Sequence, residues 1–396
     1  MSTMRPQVEA TLPNHAAFRG IPARIILCIF VLVSGGTALW VLSTMMMGRS
    51  LGSRDLISYW AAGKLLIHGA NPYSISAVSA LERIAGRTAT GMLIMRNPPS
   101  ALFVVIPLGW MGARSGSILW SLLLLGCLAI SIHMIWRMNG SPRSRLHLFG
   151  YFFAPTLACL GTGQTGIFAL LGLILFLYLH DSKPLLAGVA LSLCALKPHL
   201  FLPFAVVLFA WIATREAYRI LAGAVLAIAV CGAVPLLFDR SVWSQYAQMA
   251  RVSGIVDEFM PDLGTVLRFA VDRNAMWLQF LPAVVACIWA LWYFRRHRMD
   301  WDWQTHGSLL MLVSILAAPY SWFNDQVILL PALLHGMYSG KSVVAILALT
   351  TATFVEMMFG VSLHSALHCW PAAAWLVWYL WPMSHGWSSV NAQGTA

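Results

Sequence analysis

The sequence predicts an all-α, polytopic membrane protein of about twelve transmembrane helices. Three observations predict it. Hydrophobic residues fill 59% of the 396 positions and Asp, Glu, Lys and Arg only 10%, a balance that no single water-soluble core of this length could bury. Apolar segments suited to spans recur at short intervals along nearly the whole chain. The polar residues left over gather in connections, two of which are long. Lipid is therefore the solvent for most of the surface, and the chain reads as one membrane domain rather than the two or three soluble domains that length alone suggests.

Residues 1–22 form a polar tail. The apolar run from about Arg24 to Met47 is too long for a signal-peptide core and lacks a convincing cleavage site, so it stays as the first span. Further spans fall at about 115–136, 147–161, 164–180, 184–197, 199–213, 218–238, 276–294, 306–319, 326–339, 342–360 and 366–383. The membrane domain thus covers 23–383 and leaves a tail at 384–396. Several segments are shorter than the roughly 20 residues needed to cross straight, so those meeting at Gly163 and Lys197 read either as broken helices or as spans that extend beyond these bounds. Arg137, Arg143 and Arg145, then Arg215 and Arg219, then Arg295, Arg296 and Arg298 cluster in short connections and mark one face as cytoplasmic. Arg5, Arg19 and Arg24 put the N-terminus on that side, and an even span count returns the C-terminus there. The expected location is a bacterial cytoplasmic (inner) membrane.

Two loops on the opposite, extracytoplasmic face are long enough to carry function, 48–114 and about 239–275. In the first, Leu56, Tyr59, Trp60, Leu65, Leu66 and Ile67 share one helical side, with Arg54, Asp55, Ser58 and Lys64 mostly elsewhere. That pattern predicts a helix lying in the membrane interface. It stops near Gly69-Ala70-Asn71-Pro72, where Gly and an X-Pro step disfavour its continuation. Ala101 to Trp110 follows Asn97-Pro98-Pro99 and contains Pro107, so it reads as a short interfacial or re-entrant helix. The second loop carries Asp257, Glu258 and Asp262 with Trp243, Tyr246, Arg251 and Arg268, either an acceptor-binding surface or a solvated acidic loop.

The net charge of +11 is scattered among apolar runs and builds no basic stripe, so anionic lipid headgroups rather than nucleic acid are the expected partners. Cys28, Cys127, Cys159, Cys194, Cys231, Cys287 and Cys369 fall almost entirely in apolar segments without metal-ligand spacing and read as packing residues. His364 and His368 are four apart but lack a third ligand nearby.

Asp55, just beyond the first span, holds a carboxylate at the lipid–water boundary. There it can take the proton of an acceptor sugar hydroxyl as that oxygen attacks an anomeric carbon. Pairing with Arg54, or capping the interfacial helix, is the alternative.

The stretch Asp55-xxx-Tyr59-xxx-Gly63, then Gly69-Ala70-Asn71-Pro72-Tyr73, Asn97-Pro98-Pro99 and Pro107-Leu108, resembles the first extracytoplasmic loop of glycosyltransferase family 87. Gly161-Thr162-Gly163-Gln164-Thr165-Gly166, Lys197-Pro198-His199, Ala318-Pro319-Tyr320-Ser321 and Leu329-Leu330-Pro331-Ala332 follow in the family's order, so the resemblance spans about residues 24–335. It implies the GT-C glycosyltransferase type, a polyprenyl-phosphate sugar donor carrying a hexose, mannose first among them, a lipid or glycan acceptor, and Asp55 as catalytic base. Where some relatives carry histidines after Pro-x-Ser-Trp, this chain has Asn324 and Asp325, which makes Asp325 a second candidate carboxylate.

A phosphate leaving group implies cations beside it, and Arg54, Arg96, Arg114 and Lys197 are the candidates on the expected face. Lys197, between two apolar segments, either faces a polar cavity or snorkels from a helix end. Gln164 lies in a glycine-rich turn that either approaches a phosphate or merely joins two helices. His199 is a ligand contact or a packing histidine, and Tyr59, Tyr73, Tyr320 and Trp322 are sugar-stacking or belt aromatics. The expected chemistry uses no metal and no cofactor, since the donor carries one phosphate and no DxD motif is present. The rival classes are a secondary transporter and a non-catalytic subunit of a polysaccharide or lipid export system. Polar groups on one face and the lack of matching halves weigh against transport.

Overall fold

The computed structural model describes residues 20–47, 51–88, 93, 95–252, 258–359 and 365–381. Asp257, His364 and almost all of both tails lie outside the described residues, which contain helices and no strand. In chain order, the first long helix α1 (Ile21–Met47) is followed by three short ones, α2 (Leu56–Ile67), α3 (Ile75–Ile84) and α4 (Pro99–Gly109). Next come α5 (Ala113–Met138), α6 (Phe149–Phe152), α7 (Ala154–Thr162), α8 (Gly166–Leu179), α9 (Pro184–Cys194), α10 (Leu202–Arg215) and α11 (Tyr218–Ala233). The second long loop holds α12 (Val242–Val252) and α13 (Leu263–Val271). The chain closes with α14 (Trp277–His297), α15 (His306–Leu316), α16 (Leu330–Tyr338), α17 (Val343–Met358) and α18 (Trp370–Leu380).

Each apolar segment picked out in the sequence contains a helix. Five are long and apolar enough to cross a membrane: Ile21–Met45, Ala113–Met138, Pro198–Arg215, Tyr218–Leu237 and Trp277–His297. Leu32, Leu39 and Trp40 on α1, Leu226 on α11, and Ile288 and Trp292 on α14 point outward and are exposed. Apolar surface on that scale needs lipid around it, so the chain is a membrane protein.

The long helices are interrupted at three places that matter later. Gly163 ends α7 with φ +76, a left-handed conformation that glycine alone adopts without strain. Pro198 stops the chain between α9 and α10 and starts a short 3₁₀ turn, Pro198–Phe201. Beyond α15, Trp322 is extended and begins a 3₁₀ segment, Phe323–Leu329, that runs into α16.

The first long loop differs from expectation in one respect. The helix read as amphipathic, with one wet side, is α2, and every residue from Leu56 to Gly63 is buried, Ser58 included. The cause is close packing on α4: a Cβ on Gly63 would overlap the Val105 carbonyl, and one on Gly109 would overlap the Gly63 carbonyl. The two backbones approach as small-residue helix pairs do in membranes. The neighbouring helix over Ala101 to Trp110 forms as α4, with Pro107 inside it.

Gly63→Val should therefore push α2 off α4 and cost about 1–3 kcal/mol. Cys159 and Cys194 are free and buried, so thermal unfolding followed by a thiol-reactive dye reads this loss directly; an unchanged midpoint would show that the helices are not in this contact.

Candidate active site

Asp55 occupies the N-cap position of α2 but its side chain makes no capping hydrogen bond. Its Oδ2 instead accepts a hydrogen bond of 2.7 Å from Gln164 Nε2. On the other side of the same amide, Gln164 Oε1 accepts from the Tyr59 hydroxyl at 2.8 Å and from Lys197 Nζ at 3.0 Å. Lys197 Nζ also donates to Asp325 Oδ1 at 2.6 Å. Asp325 Oδ2 accepts the Trp322 backbone N–H at 3.1 Å, closing the first turn of the 3₁₀ segment. Asp55, Tyr59, Gln164, Lys197 and Asp325 thus form one hydrogen-bonded chain built from positions far apart in sequence. Asp325 and Lys197 are buried, whereas Asp55, at the other end, is half-buried.

The backbone explains how these groups meet. Gly163 turns the chain left-handed, and the next residue, Gln164, hydrogen-bonds back through its N–H to the Cys159 carbonyl at 3.1 Å. The Trp120 indole N–H donates to the Gly163 carbonyl at 2.7 Å and fixes the turn from α5. Lys197 sits where Pro198 ends regular helix, and Asn97 Nδ2 donates to the preceding Leu196 carbonyl at 3.0 Å.

Arg54 is adjacent to Asp55 in sequence, yet its guanidinium enters the protein. Nε donates to the Gly161 carbonyl at 2.8 Å, and the terminal nitrogens to the Leu160 carbonyl, Ser117 and Ser121. These are the last carbonyls of α7, where a cation is favoured by the negative end of the helix dipole. Ser117 and Ser121, one turn apart on α5, were not singled out in the sequence; their i, i+4 spacing in an apolar helix is the only signal that could have found them.

A second group lies beside the chain. Arg96 pairs with Glu258 at 2.6 Å and donates to the Tyr320 hydroxyl at 3.2 Å. The rings of His199 and Tyr320 meet edge to face at 5.2 Å, and Tyr320 contacts Trp322 at 6.1 Å. His199 Nε2 is buried with no hydrogen-bond partner among the described residues. Tyr73 reaches this side through its hydroxyl, which donates to the Asn97 carbonyl at 3.0 Å. Arg114 is exposed in the first turn of α5, where no described contact brings it to either group.

Two further carboxyls, both outside the spans, are perturbed by burial. Glu82 on α3, which pairs with Arg87 at 3.5 Å, is pushed up to about 7. Asp262 caps α13 by accepting from the Thr265 N–H at 2.7 Å, and burial still pushes its carboxyl up to about 7. Glu82 was missed in the sequence because it sits among ordinary charged neighbours on an amphipathic helix.

Residues 96–319 match glycosyltransferase family 87, more than half of the chain. The match takes in Gln164 and Lys197 and stops short of Asp55 on one side and Asp325 on the other. Neither a curated protein nor a solved structure matches the chain.

Two outcomes follow from the geometry. Arg54→Met leaves two buried carbonyls and two serines without their donor, a loss on the order of 3 kcal/mol seen as a lower unfolding midpoint. Asp262 holds its proton more tightly folded than unfolded, where a carboxyl titrates near about 4. Its contribution to stability therefore falls as pH rises from about 4 to about 7. Asp262→Asn, an equally good helix cap, should lose less stability than the native protein between those pH values in thermal unfolding.

Proposed function

Because the chain belongs to glycosyltransferase family 87 and is a membrane glycosyltransferase, we propose that it is a GT-C-type enzyme taking a hexose, in the first place mannose, from polyprenyl phosphate. The acceptor is a lipid or glycan at the extracytoplasmic face of the bacterial inner membrane, and Asp55 is the base. The observation that carries this reading is the half-buried Asp55 carboxylate at the end of a chain anchored by a buried ion pair. A base must be held still and yet be reachable, and that arrangement does both.

In the proposed displacement the acceptor hydroxyl gives its proton to Asp55 while its oxygen bonds to the anomeric carbon. The bond from that carbon to the phosphate oxygen breaks, and its electron pair leaves on polyprenyl phosphate. Attack opposite the leaving group inverts the anomeric centre. Gln164 orients Asp55, and Lys197 orients Gln164. An ammonium has three N–H donors; Asp325 and Gln164 take two, and the third is assigned to the leaving phosphate. His199 Nε2, buried and without a described partner, is assigned to the donor as well.

Charge is the constraint on donor binding. Asp55 and Asp325 together outweigh Lys197, so the chain alone repels a phosphate. Arg54 sets its charge against Asp55 but has its donors committed; Arg96 is the nearby cation that can turn to a phosphate, and Glu258 holds it at 2.6 Å in a partly exposed pair. The donor phosphate therefore competes with Glu258 for Arg96. Arg54 has a positioning role, since its donors are committed to α7 and α5.

Asp55→Asn should keep the fold and lower transfer by roughly 10²–10⁴, assayed with polyprenyl-phosphate hexoses and membrane lipid extract as acceptor. Undiminished transfer by this variant would remove Asp55 from the chemistry. Glu258→Gln should lower the KM for the donor severalfold with little change in kcat, because an exposed pair is worth up to about 1 kcal/mol. A raised KM would mean that Glu258 itself contacts the donor.

A further inference from the structure

At the far end of the bundle, His297, Asp300 and His306 each offer a ligand atom, all within 4.8 Å of one another. We propose that these three side chains bind a divalent transition metal, zinc by their chemistry, which clips the end of α14 to the start of α15. The site is separate from the active site. Gln279, near the start of α14, donates to the Pro319 carbonyl beside Tyr320, and His297 lies 18 residues further along that helix, roughly 27 Å at the helical rise.

The ring of His306 is already held in the orientation a ligand needs. Its Nδ1 is 2.7 Å from the Tyr293 hydroxyl, and its face stacks on Trp301 at 4.9 Å and 18°. An Nδ1–H given to that hydroxyl leaves Nε2 for a metal, which would take the place of the ring's contact with the Asp300 backbone; an outer partner of this kind is the usual way a metal-binding histidine is fixed. His297 Nδ1 lies 3.8 Å from Asp300 Oδ2, and the two imidazoles are 5.0 Å apart between centroids. Metal bonds of about 2.0–2.2 Å bring ligand atoms to within about 3–4 Å of each other. Asp300 is exposed and His297 half-buried, so rotation of these side chains closes the difference.

Two imidazoles and one carboxylate suit zinc, with water completing the tetrahedron; magnesium and calcium prefer oxygen alone. Arg295, Arg296 and Arg298 in the same region oppose a cation, but all three are exposed and screened by salt. The C-terminal carbonyls of α14 act the other way. Coordinate bonds to nitrogen outweigh a screened repulsion of this kind.

The test is zinc binding to the purified full-length protein in detergent, stripped with a chelator and titrated against a chromophoric competitor. One equivalent should bind with micromolar affinity or tighter near about pH 7, weaken as the imidazoles protonate below about pH 6, and raise the unfolding midpoint. His306→Gln and Asp300→Asn should each weaken binding at least tenfold and abolish the rise in midpoint. Asp300 is exposed, so its variant keeps the fold. Equal binding by the native protein and both variants, or none by the native protein, overturns the proposal and leaves His297 and Asp300 as a simple ion pair. None of the three residues belongs to the proposed transfer site, so glycosyl transfer should survive in all variants.

Discussion

The Lys197–Asp325 pair is buried, with 7% and 0% of the two side chains exposed. Removing two charges from water costs several kcal/mol for each ion, and attraction returns that only when the remaining donors and acceptors are also satisfied. Here the Trp322 N–H satisfies the second carboxylate oxygen and Gln164 a second N–H of the ammonium, leaving one N–H of Lys197 over. The pair therefore ties together three breaks in the helices: the Pro198 turn, the 3₁₀ segment before α16, and the Gly163 turn. Interrupted backbone at membrane depth survives only where protein or a polar cavity satisfies it. The breaks supply the polar side chains, and the side chains make the breaks tolerable.

Much of this was legible in the sequence because apolar context makes polar residues conspicuous. Lys197 and Gln164 stand between apolar segments, Asp55 follows the first span, and Asp325 follows a proline-containing break, so each could be named without coordinates. Their connection through one amide could not, since nothing in the spacing of positions 55, 164, 197 and 325 encodes distance. Arg54 shows the limit most clearly. Adjacent residues at a helix start diverge by about 100°, so the cation beside Asp55 in sequence donates to the end of α7 instead. The burial of Leu56 to Gly63 on α2 was hidden for a related reason: the partner that covers it, α4, lies more than 30 residues on and reads as an interrupted apolar stretch.

The polarity of the Gln164 amide carries the last step. Oε1 faces two donors, Tyr59 and Lys197, so Nε2 must face Asp55. An N–H can be given only to an acceptor, which makes Asp55 the accepting partner in the resting arrangement. A glutamate at this position would add a third carboxylate, directly against Asp55 and close to Asp325, and like charges at hydrogen-bond distance are strongly disfavoured. The amide passes the orientation of the buried cation to the half-buried carboxylate without adding charge. Lys197 can thus be neutralised by Asp325 and still govern where Asp55 points.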